Sequence, residues 1–333
     1  MLARCTAAIT ACVALGCGGE DKAAPDGGAG DGAPVSCSEA AGWTAAPPVG
    51  GGPAQETAAV AEDGKIYVLG GFRSASEIVA AVRVFDTAAC AWSDGPPLPR
   101  RVHHANAAVV DGTIYVLGSM IEGFVAIGDV WAWNPKTDAG WTARASMPVG
   151  TQRGSAVVGV IGGVIYLAGG LRSGAVAQVS SYTPATDTWD TSLPPLPQNN
   201  DHGCGGVVGG KLYVTGGRMG TTASRSSQVF EYTPGGAWAT KAPMPTARGG
   251  TACGVIGDRI LVVGGEGNPG TPTGVFSEVE AYDAAADRWQ ALAPMVTPRH
   301  GMGAAVWGGA LYVPGGATRE LFGAADAHEV LRP

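Results

Sequence analysis

One strand-like segment recurs six times at a near-constant interval, and few folds are open to a chain built that way. The copies run from Gly64 to Gly71, Gly112 to Ser119, Gly163 to Gly170, Gly210 to Gly217, Asp258 to Gly265 and Gly309 to Gly316. Their first glycines, Gly70 to Gly315, are spaced by 48, 51, 47, 48 and 51 residues. Self-similarity at such a period marks small units that cannot bury their faces alone and must stack on one another. The core of each copy, such as Ile66-Tyr67-Val68-Leu69, is apolar throughout, as a strand covered on both sides should be.

Two further series run in phase. Trp43, Trp92, Trp141, Trp189, Trp238 and Trp289 recur, each followed six or seven residues on by an apolar residue among prolines: Val49, Leu98, Met147, Leu196, Met244 and Met295. Between the glycines and the next Trp lies a third strand, seen at 82–86, 130–134, 179–183, 229–233 and 279–283. Paired glycines allow positive φ or close backbone approach at the strand end. The Tyr and Trp rings are broad plates that can fill the space between twisted sheets. A strand ending in Gly-Gly, an aromatic strand, and a Trp some 20 residues later together resemble the kelch repeat. That resemblance covers residues 41–333. It implies an all-β fold: a six-bladed kelch-type β-propeller with four antiparallel strands per blade.

The Trp and Gly series start out of step. Trp43 precedes every Gly-Gly strand, and no Trp follows the sixth. The N-terminal strand around Trp43 is therefore expected to close the last blade, which also removes an exposed sheet edge.

Ahead of the repeats, residues 1–17 read as a signal peptide: a basic start, an apolar stretch and a small-residue ending. Ala14-Leu15-Gly16-Cys17 resembles a bacterial lipobox, with Cys17 the lipidated residue; an ordinary secretory signal is the alternative. Residues 18–36 are Gly, Ala, Asp and Pro with little apolar bulk, a linker composition. The propeller is assigned to 37–333. These features predict an exported chain, lipid-anchored in the cell envelope or else secreted, touching a membrane only through that anchor.

Export permits disulfides. Cys37 and Cys90 flank the outer strands of the last and first blades, so a bridge there could clip the N-terminal segment to the ring. Cys204 and Cys253 fall on innermost strands, where a bridge is possible but buried free thiols are the expectation. No Cys-x-x-Cys or paired Cys/His spacing suggests a metal, and no cofactor is expected.

With the strands lettered a to d from the axis outward, the d–a and b–c connections share one face. Arg101, Arg153, Arg248 and Arg299 lie in d–a connections, and Arg73, Arg172, Arg218 and Arg319 shortly after the paired glycines. His103, His202 and His300 stand near the same d–a positions. Converging guanidinium groups suit carboxylates; the alternative is that each d–a arginine ties loop carbonyls together. Net charge is −7 and no Lys/Arg-rich run exists, which argues against nucleic acid. Common hydrolase, phosphate-loop and zinc-protease motifs are absent.

The expectation is a monomeric binding module that recognises a protein or glycan with acidic groups at this face. Kelch proteins resembling it often bind partners or sugars there, and periplasmic ones include a sialic acid mutarotase. A sugar-processing enzyme of that type is the alternative; a purely structural envelope protein is the third.

Overall fold

The structure, a computed structural model, describes residues 37–333. The leader, the lipobox Cys17 and the 18–36 linker lie outside the described residues. Within them no helix is long and apolar enough to cross a membrane.

Six four-stranded antiparallel sheets form the six-bladed propeller. The first is Ala58–Glu62, Lys65–Leu69, Val82–Asp86 and Ala91–Asp94. The fourth is Cys204–Val208, Lys211–Thr215, Val229–Tyr232 and Trp238–Lys241. In the sixth, Ala305–Trp307, Ala310–Pro314 and His328–Arg332 are completed by Gly42–Ala45 from the start of the chain. That closing strand runs antiparallel to the last one, from Gly42 opposite Arg332 to Ala45 opposite Glu329.

The phased residues of the sequence are the joints between blades. Each strand-d indole Nε1 donates to a carbonyl at the end of the preceding blade's outer strand. The acceptors are Ala293, Pro47, Pro96, Ala145, Pro194 and Ala242 for Trp43 through Trp289, at 2.8–3.0 Å. Trp43 takes part on the same terms as the other five, so the ring closes without a defective joint. The apolar residue after each Trp, from Val49 to Met295, is buried to 3% exposure in all six blades.

The glycine pairs are required by crowding. Gly70 has φ +62°, and a Cβ there would sit 2.6 Å from the Val102 carbonyl of the next blade. The following Gly71 N–H donates to that same carbonyl at 2.8 Å. Blade 2 carries Gly118-Ser119 instead, and there the second strand runs on as Thr113–Ile121, turns through Glu122–Phe124 and returns as Val125–Trp133. A register shift between Ile127 and Val130 absorbs Gly118. Sequence spacing placed only residues 130–134 in that returning strand; the missing second glycine is why it is longer.

Cys37 and Cys90 are disulfide-bonded, with Cα atoms 5.4 Å apart, tying the segment before the closing strand to blade 1. Cys204 and Cys253, expected as free thiols, are also joined, Cα to Cα 5.5 Å. The correction follows from the geometry of a propeller. Innermost strands converge on the axis, so positions one repeat apart come within bonding reach.

Candidate functional site

The d–a connections reach the axis at six equivalent positions: Glu56, His104, Ser155, His202, Gly250 and Gly301. All six have positive φ, from 51° at His104 to 65° at Gly250. Their backbones hydrogen-bond around the axis. Glu56 N–H donates to Gly301, His104 to Glu56, Ser155 to His104, Gly250 to His202 and Gly301 to Gly250, at 2.5–2.9 Å. This annulus divides the axis. On the d–a/b–c side lies a cavity of about 60 Å³, and on the other a channel of about 120 Å³ between the innermost strands.

Side chains from the annulus and its neighbours build a charged cluster at the cavity floor. Asp201 accepts from His202 Nδ1 at 2.5 Å and from Arg218 Nε at 2.9 Å. Arg218 also pairs with Glu266 and points Nη2 at His202 Nε2, 2.9 Å away. His104 Nε2 is 2.8 Å from His202 Nε2 and 3.1 Å from Glu56 Oε2. His103 Nε2 faces the Ile121 carbonyl at 3.1 Å, and its Nδ1 is 2.5 Å from His104 Nδ1. His300 Nε2 meets the Arg319 carbonyl at 2.9 Å, leaving a buried Nδ1 with no hydrogen-bond partner. Phe72, Phe124, Leu321 and Phe322 wall the cavity above.

Burial governs the charges here. It pulls His103 down to about 4 and holds His104 well below the ordinary histidine value, the neighbouring cationic groups adding to the effect. For Arg218 burial works against the charge, but Glu266 and Asp201 outweigh it and hold the guanidinium above its ordinary value. Three carboxylates, Glu56, Asp201 and Glu266, thus meet one guanidinium and four imidazoles at the cavity floor.

The predicted arginines divide sharply. Arg153, Arg248 and Arg299 are wholly buried. Arg153 donates to the carbonyls of Gly169, Thr151 and Leu167 and to Ser180 Oγ. Arg248 donates to Gly264, Thr246 and Val262 carbonyls and pairs with Glu280; Arg299 repeats the arrangement with Glu329. The expectation that these three face a ligand is corrected. Each plugs the end of its own blade, where the glycine-pair turn leaves carbonyls without strand partners. Burial lowers Arg153 to about 10, still charged at neutral pH.

Only Arg218 joins the axial cluster. Arg73 pairs with Glu77 at the surface, Arg101 is exposed, Arg172 bonds Gln152 and Gln178, and exposed Arg319 donates to the Phe322 carbonyl. His103, His202 and His300 all reach the cluster.

Residues 55–99, 152–195, 202–245 and 247–296, more than half of the chain, match the Kelch motif. The chain belongs to the kelch family. It is 40% identical over 287 residues to the kelch-like protein terF of Aspergillus terreus, covering 79% of this chain and 61% of that protein. Kelch-like protein 36 of Bos taurus is 28% identical over 237 residues, covering 69% and 38%. The chain thus spans between about two-fifths and three-fifths of these relatives' lengths. The solved structure titled "Structure of YjhT" superposes with a TM-score of 0.71 at 18% identity, covering 85% of this chain and 96% of that one. That likeness concerns the fold alone.

Kelch phasing could have located the residues that sequence reading missed: Glu56, His104, Asp201 and Glu266. Aligning the six copies puts Glu56, His104 and His202 at one repeat position whose other members are Ser155, Gly250 and Gly301. Glu266 occupies the position of Arg218, two after the first glycine. The signal was the contrast between copies at one position.

Proposed function

We propose that this kelch propeller is a binding module that docks a protein partner on its d–a/b–c face. One observation carries the reading. Of the seven large apolar side chains exposed among the described residues, six lie in the loops of this face: Phe124, Val125, Val149, Met219, Val296 and Leu321. Trp307 alone is on the opposite face, at an a–b turn. Apolar area gathered on one side of a molecule marks an interaction surface. Phe124 and Val125 also line a groove of about 620 Å³ with Leu171 and Arg172. A partner carrying apolar side chains with acidic neighbours suits that groove and the rim arginines Arg73, Arg101, Arg172 and Arg319.

The leader, the lipobox and two disulfides support a place outside the cytosol, tethered through Cys17 or secreted.

Phe124→Ser/Val125→Ser is expected to abolish capture of any partner retained from native extracts, while Trp307→Ser retains it. Equal capture by both variants would remove the face assignment. A second reading, turnover of an acidic sugar, is favoured by the carboxylates and imidazoles beside Arg218. Optical rotation and proton exchange on such sugars test it, and a flat response removes it.

A further inference from the structure

We propose that Glu56, His104 and His202 form a divalent metal site of the zinc class at the floor of the axial cavity.

The first argument is hydrogen-bond bookkeeping. Ile121 offers only a carbonyl, so His103 Nε2 must carry its proton and donate. The Nδ1 atoms of His103 and His104 face each other at 2.5 Å and share one hydrogen, which His104 donates because the His103 ring already donates from Nε2. That leaves His104 Nε2 as a lone pair. Asp201 fixes His202 in the same way: Nδ1–H donates to the carboxylate, and Nε2 is a lone pair. These two nitrogens face each other at 2.8 Å, with Glu56 Oε2 3.1 Å from the first and Arg218 Nη2 donating to the second at 2.9 Å. One donor atom from each of the three residues lies within 4.8 Å of the others. Two imidazole lone pairs facing each other have no proton to share, and an ion between them and the carboxylate would remove their repulsion. An ion at about 2.0–2.2 Å from each needs such spacing.

The surroundings are those of a metal centre. Metal-binding imidazoles donate their second N–H to a carboxylate, carbonyl or further group, which orients the ring. Asp201 does so for His202, and the His103–Ile121 relay does so for His104. His300 Nδ1, buried and without a hydrogen-bond partner, lies 3.7 Å from Glu56 and 3.5 Å from Glu266. Its Nε2 is already committed to the Arg319 carbonyl, so Nδ1 is the ring atom left facing the same rim.

Backbone conformation is the second argument. Gly250 and Gly301 occupy the left-handed annulus positions of blades 5 and 6 at no cost. Glu56, His104 and His202 hold the same conformation at φ 51–52°, which an L side chain disfavours. Such strain is typically kept where a side chain has a task. Three of the four non-glycine members of the annulus are the three ligands.

Two imidazoles and one carboxylate suit zinc and similar borderline divalent ions. The ligands are 48 and 98 residues apart from the middle one, so no local spacing could reveal them. Arg218 is the built-in competitor. Its Nη2 contacts His202 Nε2 and must tilt away to admit an ion, while Asp201 and Glu266 hold its other nitrogens.

The inference does not rest on partner docking, and its test reads the ion alone. Tag-free full-length protein titrated with Co²⁺ is expected to take up one equivalent with visible d–d absorption, displaced by Zn²⁺. His104→Ala and His202→Ala are expected to lose that band, with cooperative melting in chelator showing that they fold. Asp201→Asn, which misorients His202, is expected to weaken Zn²⁺ binding by about 10–100-fold. Absence of stoichiometric Co²⁺ or Zn²⁺ uptake by the wild-type chain would overturn the site whatever the variants do. So would wild-type affinity in both histidine variants.

Discussion

Replacing Arg248 with Ala is expected to lower stability by about 3–5 kcal/mol, the usual cost of breaking a buried ion pair from one side. The guanidinium is wholly buried and satisfies three carbonyls as well as Glu280. After its removal Glu280 remains buried, with Thr246 Oγ1, 2.8 Å away, still donating to it. A single hydroxyl does not replace a charge partner, and the orphaned carbonyls add their own desolvation cost. Against a total of about 5–15 kcal/mol for a typical domain, the loss should be plain in a urea or thermal melt. Arg153→Ala is the informative companion. Its partners are carbonyls and one hydroxyl, with no carboxylate. The expected loss is smaller, roughly 1–3 kcal/mol. Equal, negligible losses in both would show that these arginines do not plug the blade ends. On this account, loss of binding in either variant reports loss of fold.

Excising residues 37–46, with Cys90 changed to Ser, is expected to open the ring. The sixth blade then loses its outer strand, and the edge of His328–Arg332 is left unpaired. Trp43 no longer packs or donates to Ala293. The Cys37–Cys90 link goes too, typically worth about 2–4 kcal/mol. An unpaired, largely buried-type strand such as Val330-Leu331 is a template for another chain. The excised protein should therefore melt well below the wild type and associate on size-exclusion with light scattering. Cys90→Ser alone separates the two effects: it should lose only the bridge's contribution and remain closed. A monomeric excised protein with unchanged melting would mean that the closing strand is dispensable.

The ring was legible because its joints are written as residue types at fixed intervals. A glycine is needed where a Cβ would strike the next blade's carbonyl, and an indole is needed where a donor must reach the preceding one. Both requirements repeat six times, so both show as a period. The displaced Trp43 revealed the closure by the same logic. Local exceptions read less well. Ser119 in place of a second glycine lengthened a hairpin in a way that spacing could not announce.

Chemistry at the axis was the tertiary structure's to decide. Arg153 lies in a d–a connection and Arg218 just after a glycine pair, and from the sequence both read as cations of one face. Their fates differ because one side chain runs back beneath its own blade's carbonyls, whereas the other extends over the annulus to Asp201 and Glu266. Cys204 and Cys253, like Glu56, His104 and His202, are one or two repeats apart in the chain and adjacent in space. Converging strands bring every equivalent position to one point, and no linear interval shows what six different side chains do there. The sequence by itself determined six blades, their joints and their closure, since each of those depends on a residue and its nearest repeat. Which groups meet at the centre depends on all six repeats at once, and only the closed ring decides it.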